Sequence, residues 1–352
     1  MCCHNVEPKL DAQIEALLDR SEENRSGAVP KTASQAARMG ELVKAGYLVR
    51  LMPGIYARSQ TAASWNDNPR IAAYWLARAY SAAHPDRVLC SFSAAVVQGL
   101  WVSYAYLDKL FVVATKGETT HRSPNVFYRK INRFETVTAS GIPVTNIEQT
   151  VLDCVLATPF AEGLAIADSA LRYFDLSNES LLAYFRRCGK RRPGIRRALV
   201  VARYASKDAE NGGEPIVRGL IIAAGYMPPT MLQVEFADPV DGKGAIRVDG
   251  FFALGRGRGV ILEVDGMAKY PYLLDRESRG ELPGGSGSDA GNAESQDLRS
   301  ALVDERQRES HITALGYPVM RVLFKRVREP GYLVSLLRAY GIPQIQEPFP
   351  FA

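Results

Sequence analysis

The sequence has few cysteines, no long apolar run, no internal repeat and little excess of either charge. Even a pronounced apolar run, Leu220–Ala224, stops at Gly225, far short of the roughly 20 residues that a membrane-spanning helix needs. The opening residues, Met1-Cys2-Cys3-His4-Asn5-Val6-Glu7, lack the basic-then-apolar order of a secretory leader, so a soluble, cytoplasmic protein is expected. The five cysteines (Cys2, Cys3, Cys90, Cys154 and Cys188) are odd in number and never spaced C-x-x-C. That argues against a disulfide framework or a structural zinc site and agrees with a reducing compartment. Cys2-Cys3-His4 lacks a second ligand pair and reads as a terminus with incidental cysteines. His4, His84, His121 and His311 are isolated, with no serine or cysteine partner at triad spacing. Gly255–Gly259 is glycine-rich but has no Gly-Lys-Ser/Thr and opens no helix, which removes a P-loop.

What remains is a chain of 352 residues, 47% apolar and 23% charged, long enough for roughly two domains with sizeable cores. Wholesale disorder and fibrous architecture are excluded. The net charge of +5, from 43 Lys and Arg against 38 Asp and Glu, implies no polyanionic partner by itself, so the placement of charge must decide.

The N-terminal residues read mostly as helix. Leu10, Ile14, Leu17 and Leu18 recur at helical spacing, with a polar loop, Ser21–Lys31, to follow. Thr32 and Ser34 are candidate N-caps for a helix to about Lys44, ended by Ala45-Gly46. The β-rich runs Tyr47–Leu51 and Ile55–Arg58 flank a Met52-Pro53-Gly54 turn and predict a hairpin. Beyond it, Ser91–Gly99, Asn146–Leu156 and Ala161–Tyr173 read as helices, and Leu110–Ala114 and Asn125–Tyr128 as strands. Residues Arg186–Arg203 hold eight basic side chains and no acidic one, a run that either contacts DNA or forms a solvated face. From about Asp208 a new unit is expected: a helix over Glu214–Ala224, strands at Leu232–Phe236, Ala245–Phe252 and Gly259–Val264, a mobile insertion at 275–296, a helix over Ala301–Leu315, a strand at Pro318–Phe324 and a last helix, Tyr332–Tyr340.

A helix followed by a tight hairpin is the arrangement of winged DNA-binding modules, in which basic tips neutralise phosphates beside a helix slim enough for the major groove. Arg38, Lys44, Arg50 and Arg58 lie on these elements; the bland alternative is a helical cap with solvated cations. The run Ser34-Gln35-Ala36-Ala37-Arg38, then Leu42–Arg50 and Gly54-Ile55-Tyr56-Ala57, resembles the N-terminal winged helix of AbiEi-family antitoxins. Ser91–Leu100, Gly141–Thr145 and Val151-Leu152-Asp153 are similar to sequences that follow it in that family. The resemblance implies binding to duplex DNA and opposition to a nucleotidyltransferase-like toxin.

The C-terminal unit carries sharper chemistry. Glu214 opens a helix, Asp249 lies in one strand, and Glu263 and Asp265 share a face of the next. Gly255-Arg256-Gly257-Arg258-Gly259 should return the chain antiparallel, which brings Asp249 beside Glu263. Carboxylates crowded in this way repel one another unless a cation intervenes, and hard oxygen ligands favour Mg²⁺ or Mn²⁺. Against this, Asp249-Gly250 and Asp265-Gly266 are ordinary turn dipeptides. Glu263, however, is flanked by Val260-Ile261-Leu262 and Val264, where a bare charge is expensive. Glu214, Asp249, Glu263-Val264-Asp265-Gly266 and Lys269 together look like the PD-(D/E)xK nuclease fold, in the branch resembling very-short-patch repair endonucleases. That resemblance implies Asp249 and Glu263 as metal ligands, support from Glu214 and Asp265, and substrate contact by Lys269. Two departures stand out: Asp265 occupies the motif's lysine position, and Val248 precedes Asp249 where proline is usual. Arg299, Arg306, Arg308 and Arg321 are candidate phosphate clamps, or partners of Glu305 and Glu309.

The expectation is therefore an α/β protein in three parts: an N-terminal winged helix-turn-helix (1–80), a mixed α/β middle region with a basic linker (81–205), and a C-terminal restriction-endonuclease-like domain (206–345). It would bind duplex DNA and hydrolyse phosphodiester bonds with Mg²⁺ (or Mn²⁺). The alternative is an antitoxin-like regulator whose nuclease fold has lost its chemistry and serves interaction.

Overall fold

The computed structural model describes residues 11–64, 68–115, 117–118, 125–210, 212–240, 242, 244–265 and 306–350. The expected insertion at 275–296, Lys269, Arg299 and Glu305 lie outside them. The chain is mixed α/β and divides into two compact units. One comprises Met1–Thr158 with Tyr173–Tyr204, and the other Pro159–Arg172 with Ala205–Ala352. Residues expected as separate N-terminal and middle parts thus fall in one unit, and the helix over 160–172 groups with the C-terminal part.

In the first unit, α1 (Ala12–Glu23) and α2 (Ala33–Lys44) precede a hairpin of β1 (Leu48–Met52) and β2 (Ile55–Arg58). The helix α1 continues through Ser21–Glu23, which the sequence pattern placed in a loop. Thr32 caps α2 by accepting a hydrogen bond from the Gln35 N–H at 3.2 Å, which satisfies one orphan donor of the first turn. Strand β1 pairs antiparallel with β2 through Leu48↔Arg58 to Met52↔Ile55, and Gly54 supplies the positive φ of the turn. The hairpin serves two cores. Leu48 and Tyr56 pack with Ile14, Leu18, Met39 and Leu42, whereas Met52 and Ile55 join Ala77, Tyr80, Leu89, Leu110 and Val144. This double burial is why the hairpin and the following region form one unit.

Next come α3 (Ser59–Ala63), α4 (Pro69–Ala83) and the wholly buried α5 (Ser91–Val97). Strands β3 (Leu110–Val113) and β4 (Val126–Arg129) pair in parallel, and β5 (Thr136–Ala139) pairs antiparallel with β6 (Ile142–Thr145). Leu89 bridges Val112 on one side and Val144 on the other, tying the two pairs together. The helices are α6 (Ile147–Ala157), α7 (Phe160–Tyr173), α8 (Asn178–Cys188) and α9 (Ile195–Tyr204). All but α7 belong to the first unit.

The second unit adds α10 (Gly213–Ala223), β7 (Met231–Ala237), β8 (Ala245–Gly255), β9 (Arg258–Asp265), α11 (306–314), β10 (Val319–Leu323) and α12 (Tyr332–Ala339). The four strands form one sheet in the order β10-β9-β8-β7, with β10 parallel to β9 and the other pairs antiparallel. Arg256 and Gly257 both have positive φ, the backbone of a two-residue hairpin turn between β8 and β9. Val217 and Ile221 of α10 and Leu333 and Leu337 of α12 form one core with Phe252, Val260, Leu262 and Met320. Ile312 of α11 joins Phe251 and Ile261 in another. Consecutive residues of β9 therefore serve different cores.

Helix α7 contributes a buried ion pair within this unit. The Asp168 carboxylate lies 2.6 Å from the Arg218 guanidinium and accepts the Ser206 N–H at 2.8 Å. Burial drives the Asp168 carboxyl up to about 6, against the pull of Arg218. Replacing it leaves a buried guanidinium without its counter-charge, so Asp168→Ala should cost about 3–5 kcal/mol of stability. Chemical denaturation reads this out, and a change below about 1 kcal/mol would show that Arg218 finds another partner.

Candidate functional site

Asp249, Glu263 and Asp265 share the sheet face that carries Ile261. The pair Gly250↔Leu262 sets the β8–β9 register, so the next step sets Asp249 opposite Glu263. The Asp249 carboxylate also accepts the Val264 N–H at 2.8 Å. From the other side, the parallel β10 sets Arg321 beside Glu263. Glu214, in the first turn of α10, accepts hydrogen bonds from Gln233 Nε2 at 2.6 Å and from the Glu210 N–H at 3.3 Å.

Electrostatics tie these groups together. Burial pushes Glu214 up to about 7, and the charge of Asp249 pushes in the same direction. Burial raises Glu263 as well, Asp249 adds to it, and Arg308 opposes. Asp249 is thus the shared electrostatic neighbour of both glutamates. Glu263 is only 4% exposed. Its Oε2 accepts a hydrogen bond from Arg308 on α11 at 3.0 Å, whereas Oε1 is buried with no hydrogen-bond partner among the described residues.

Asp265 lies on the same strand face but at its open end, with Arg321 at 3.6 Å. Arg321 also holds Glu309 at 3.1 Å, so the expected partnership of Glu309 runs from α11 to β10 rather than along the helix. Arg308 also donates to the Arg247 carbonyl at 3.1 Å.

The sequence pattern does not single out Gln233. It lies in β7, one step from the Leu232↔Gly250 pair and therefore opposite Asp249, with a left-handed φ of 49°. Such a backbone is strained for a residue with a side chain, and here it accompanies the amide's bond to Glu214. No sequence signal marks it, since an isolated glutamine carries no turn or motif signature.

Among the described residues no group of three His, Cys, Asp or Glu side chains stands ready to hold a metal ion. A hard divalent cation needs fewer protein ligands, because Mg²⁺ commonly takes one or two carboxylates and fills its octahedron with water and phosphate oxygen. The all-oxygen pair Asp249 and Glu263, with the open Glu263 Oε1, fits that chemistry.

The expected DNA-contacting residues separate into two kinds. Lys44, at the end of α2, and Arg50, on β1, are exposed. Arg38 is shared with Glu41 at 2.7 Å. Arg58 is held by Asp19 at 2.5 Å and by Glu22, an internal tie between the hairpin and α1 that uses its charge within the unit. Among the described residues no helix is long and apolar enough to cross a membrane. No protein-family model matches this sequence, and no curated protein matches it.

The raised glutamates set a pH dependence of stability. The folded state holds a proton on Glu214 that the unfolded chain releases above about 4.5, so this contribution is complete at low pH and lost as pH rises toward 7. Between pH 5 and pH 8, measured in chelator, Glu214→Gln should gain stability relative to the wild type by on the order of 1–3 kcal/mol. Urea midpoints at the two pH values test this, and parallel pH dependence in both proteins would refute it.

Proposed function

We propose that the protein is a DNA-binding, Mg²⁺-dependent endonuclease, with a winged helix-turn-helix in the first unit and a restriction-endonuclease-like second unit. The observation that carries this reading is the Asp249–Glu263 pair on adjacent strands, with Glu214 entering from the preceding helix. The order helix, three antiparallel strands, helix, and a strand parallel to the third supports the same reading, since PD-(D/E)xK nucleases share it.

In this mechanism Asp249 and Glu263 would hold the cation, with Glu214 and Asp265 shaping the surrounding charge. Bound there, a divalent ion would supply an activated water and offset charge on the phosphodiester. Arg308 is the present counter-charge of Glu263 and lies where a phosphate oxygen could take over its fork. Lys269 would contact substrate. On the first unit, Lys44 and Arg50 meet phosphates, while Arg38 contributes when Glu41 releases it.

Supercoiled plasmid should be nicked in Mg²⁺ or Mn²⁺, with Asp249→Asn and Glu263→Gln each lowering the rate at least about 100-fold. Loss in both variants establishes the site, and absence of cleavage by folded wild type in either metal, on DNA or RNA, rejects the nuclease. A second reading is favoured by one observation: Glu263 and Asp265 already have arginine partners, Arg308 and Arg321. Under it, the protein is an antitoxin-like regulator, with a nucleotidyltransferase-like toxin as its partner, that keeps the fold without the chemistry. Both readings expect salt-dependent duplex binding, and Lys44→Ala with Arg50→Ala should reduce its log–log salt slope by about two. An unchanged slope would remove the hairpin from the interface.

A further inference from the structure

The basic run of the sequence does not form one solvated face. Arg192 turns inward onto the fully buried Asp153 at 2.7 Å, and Arg197 donates to the Leu156 carbonyl at 3.1 Å. Arg187 and Lys190, together with Arg192, line a cleft of about 750 Å³ wholly within the first unit. Three segments enclose it: the connection between β4 and β5, the N-terminal turn of α6, and the end of α8 with the loop after it. Its volume lies in the range of sites for nucleotide-sized ligands.

Lys130, Arg133, Arg187, Lys190 and Arg192 line this cleft, against the carboxylates of Glu135 and Glu148. Among the described residues no carboxylate lies within ion-pair distance of Lys130, Arg133, Arg187 or Lys190. The α6 N-terminus adds its partial positive charge. Phe134 and Tyr184 supply aromatic faces, and the Arg187 guanidinium sits 5.2 Å above the Tyr184 ring.

A second, independent observation concerns two amides. Asn146 Nδ2 donates to Glu148 Oε2 at 2.9 Å, which fixes its orientation and leaves Oδ1 buried without a partner. Gln149 is 1% exposed, takes the Tyr184 hydroxyl on Oε1 at 3.1 Å, and leaves Nε2 without a partner. Turning the Gln149 amide over would only exchange which terminal atom is open. Buried polar atoms are rarely left unpaired, and both of these belong to residues that line the same cationic cleft. Side-chain amides carry the acceptor and donor groups that pair with a nucleobase edge, and the cations match phosphate.

We propose that this cleft binds a nucleoside phosphate, with Arg187 and Lys190 on the phosphate and Asn146 and Gln149 on the base edge. The ligand is either a free nucleotide or one nucleotide of a single strand, and the site is independent of the endonuclease reading. Calorimetric titration of the full chain with AMP, GMP, CMP and UMP, with inorganic phosphate, and with a 5′-phosphorylated single-stranded decamer tests it. At least one mononucleotide or the decamer should bind more tightly than inorganic phosphate; the tighter of the two identifies the source. Arg187→Ala with Lys190→Ala, both at the cleft's rim, should weaken binding at least about tenfold. Gln149→Leu should reduce the preference among bases, and Asn146→Ala reads the same edge if the leucine variant does not fold. No binding of any probe at millimolar concentration, equal affinity for inorganic phosphate, or full affinity in the double variant would overturn the assignment.

Discussion

The second unit depends on how it keeps one carboxylate, Glu263, in the middle of an apolar sheet. Desolvating a carboxylate costs several kcal/mol, and Asp249 across the strand pair adds repulsion to that cost. The fold meets it with an arginine from α11 and a second from the neighbouring strand, so helix and strand are both placed by the demands of one charge. An apolar residue of similar volume would make a sheet at least as stable. Stability therefore does not explain the charge, which is the physical argument for reading the position as functional.

The same unit contains a control for that argument. Asp168 is also buried beside an arginine, but one oxygen accepts the Ser206 N–H and the other meets Arg218, so both are satisfied. Glu263 differs in leaving one oxygen open and in facing a further carboxylate, Asp249, across the strand pair. A closed pair holds structure together. A half-satisfied carboxylate with raised proton affinity keeps an acceptor unused, and that contrast separates the two sites better than burial alone.

Much of the local structure was legible because its signals are local. Thr32 before a periodic run, the Pro53-Gly54 turn and the glycine-flanked turn at Arg256 each specify backbone within a few residues. The adjacency of Asp249 and Glu263 followed from strand period and that turn. The hairpin β5–β6 turns at Ser140-Gly141, both of positive φ, yet a Ser-Gly dipeptide between strands of only four residues is a faint signal. Pairings that span the chain were not legible. Arg58 is claimed by two carboxylates nearly forty residues earlier, Gln233 reaches back to α10, and α7 joins residues beyond 205, none of which a period or spacing encodes.

The basic run shows why charge content alone predicts so little. Residues two to five apart in it differ in fate: Arg187, Lys190 and Arg192 all line one cleft, but only Arg192 is neutralised there, by a buried aspartate. Only backbone direction and the position of Asp153 decide between them. The first unit then offers anions two surfaces of different shape. The exposed Lys44 and Arg50 lie on convex elements, a helix end and a hairpin strand, suited to the regular rail of phosphates on a duplex. The cleft is concave, with the buried amides of Asn146 and Gln149 among its lining residues. On the two proposals made above, shape divides the roles where charge does not, and a base entering the cleft would be free of its pairing partner.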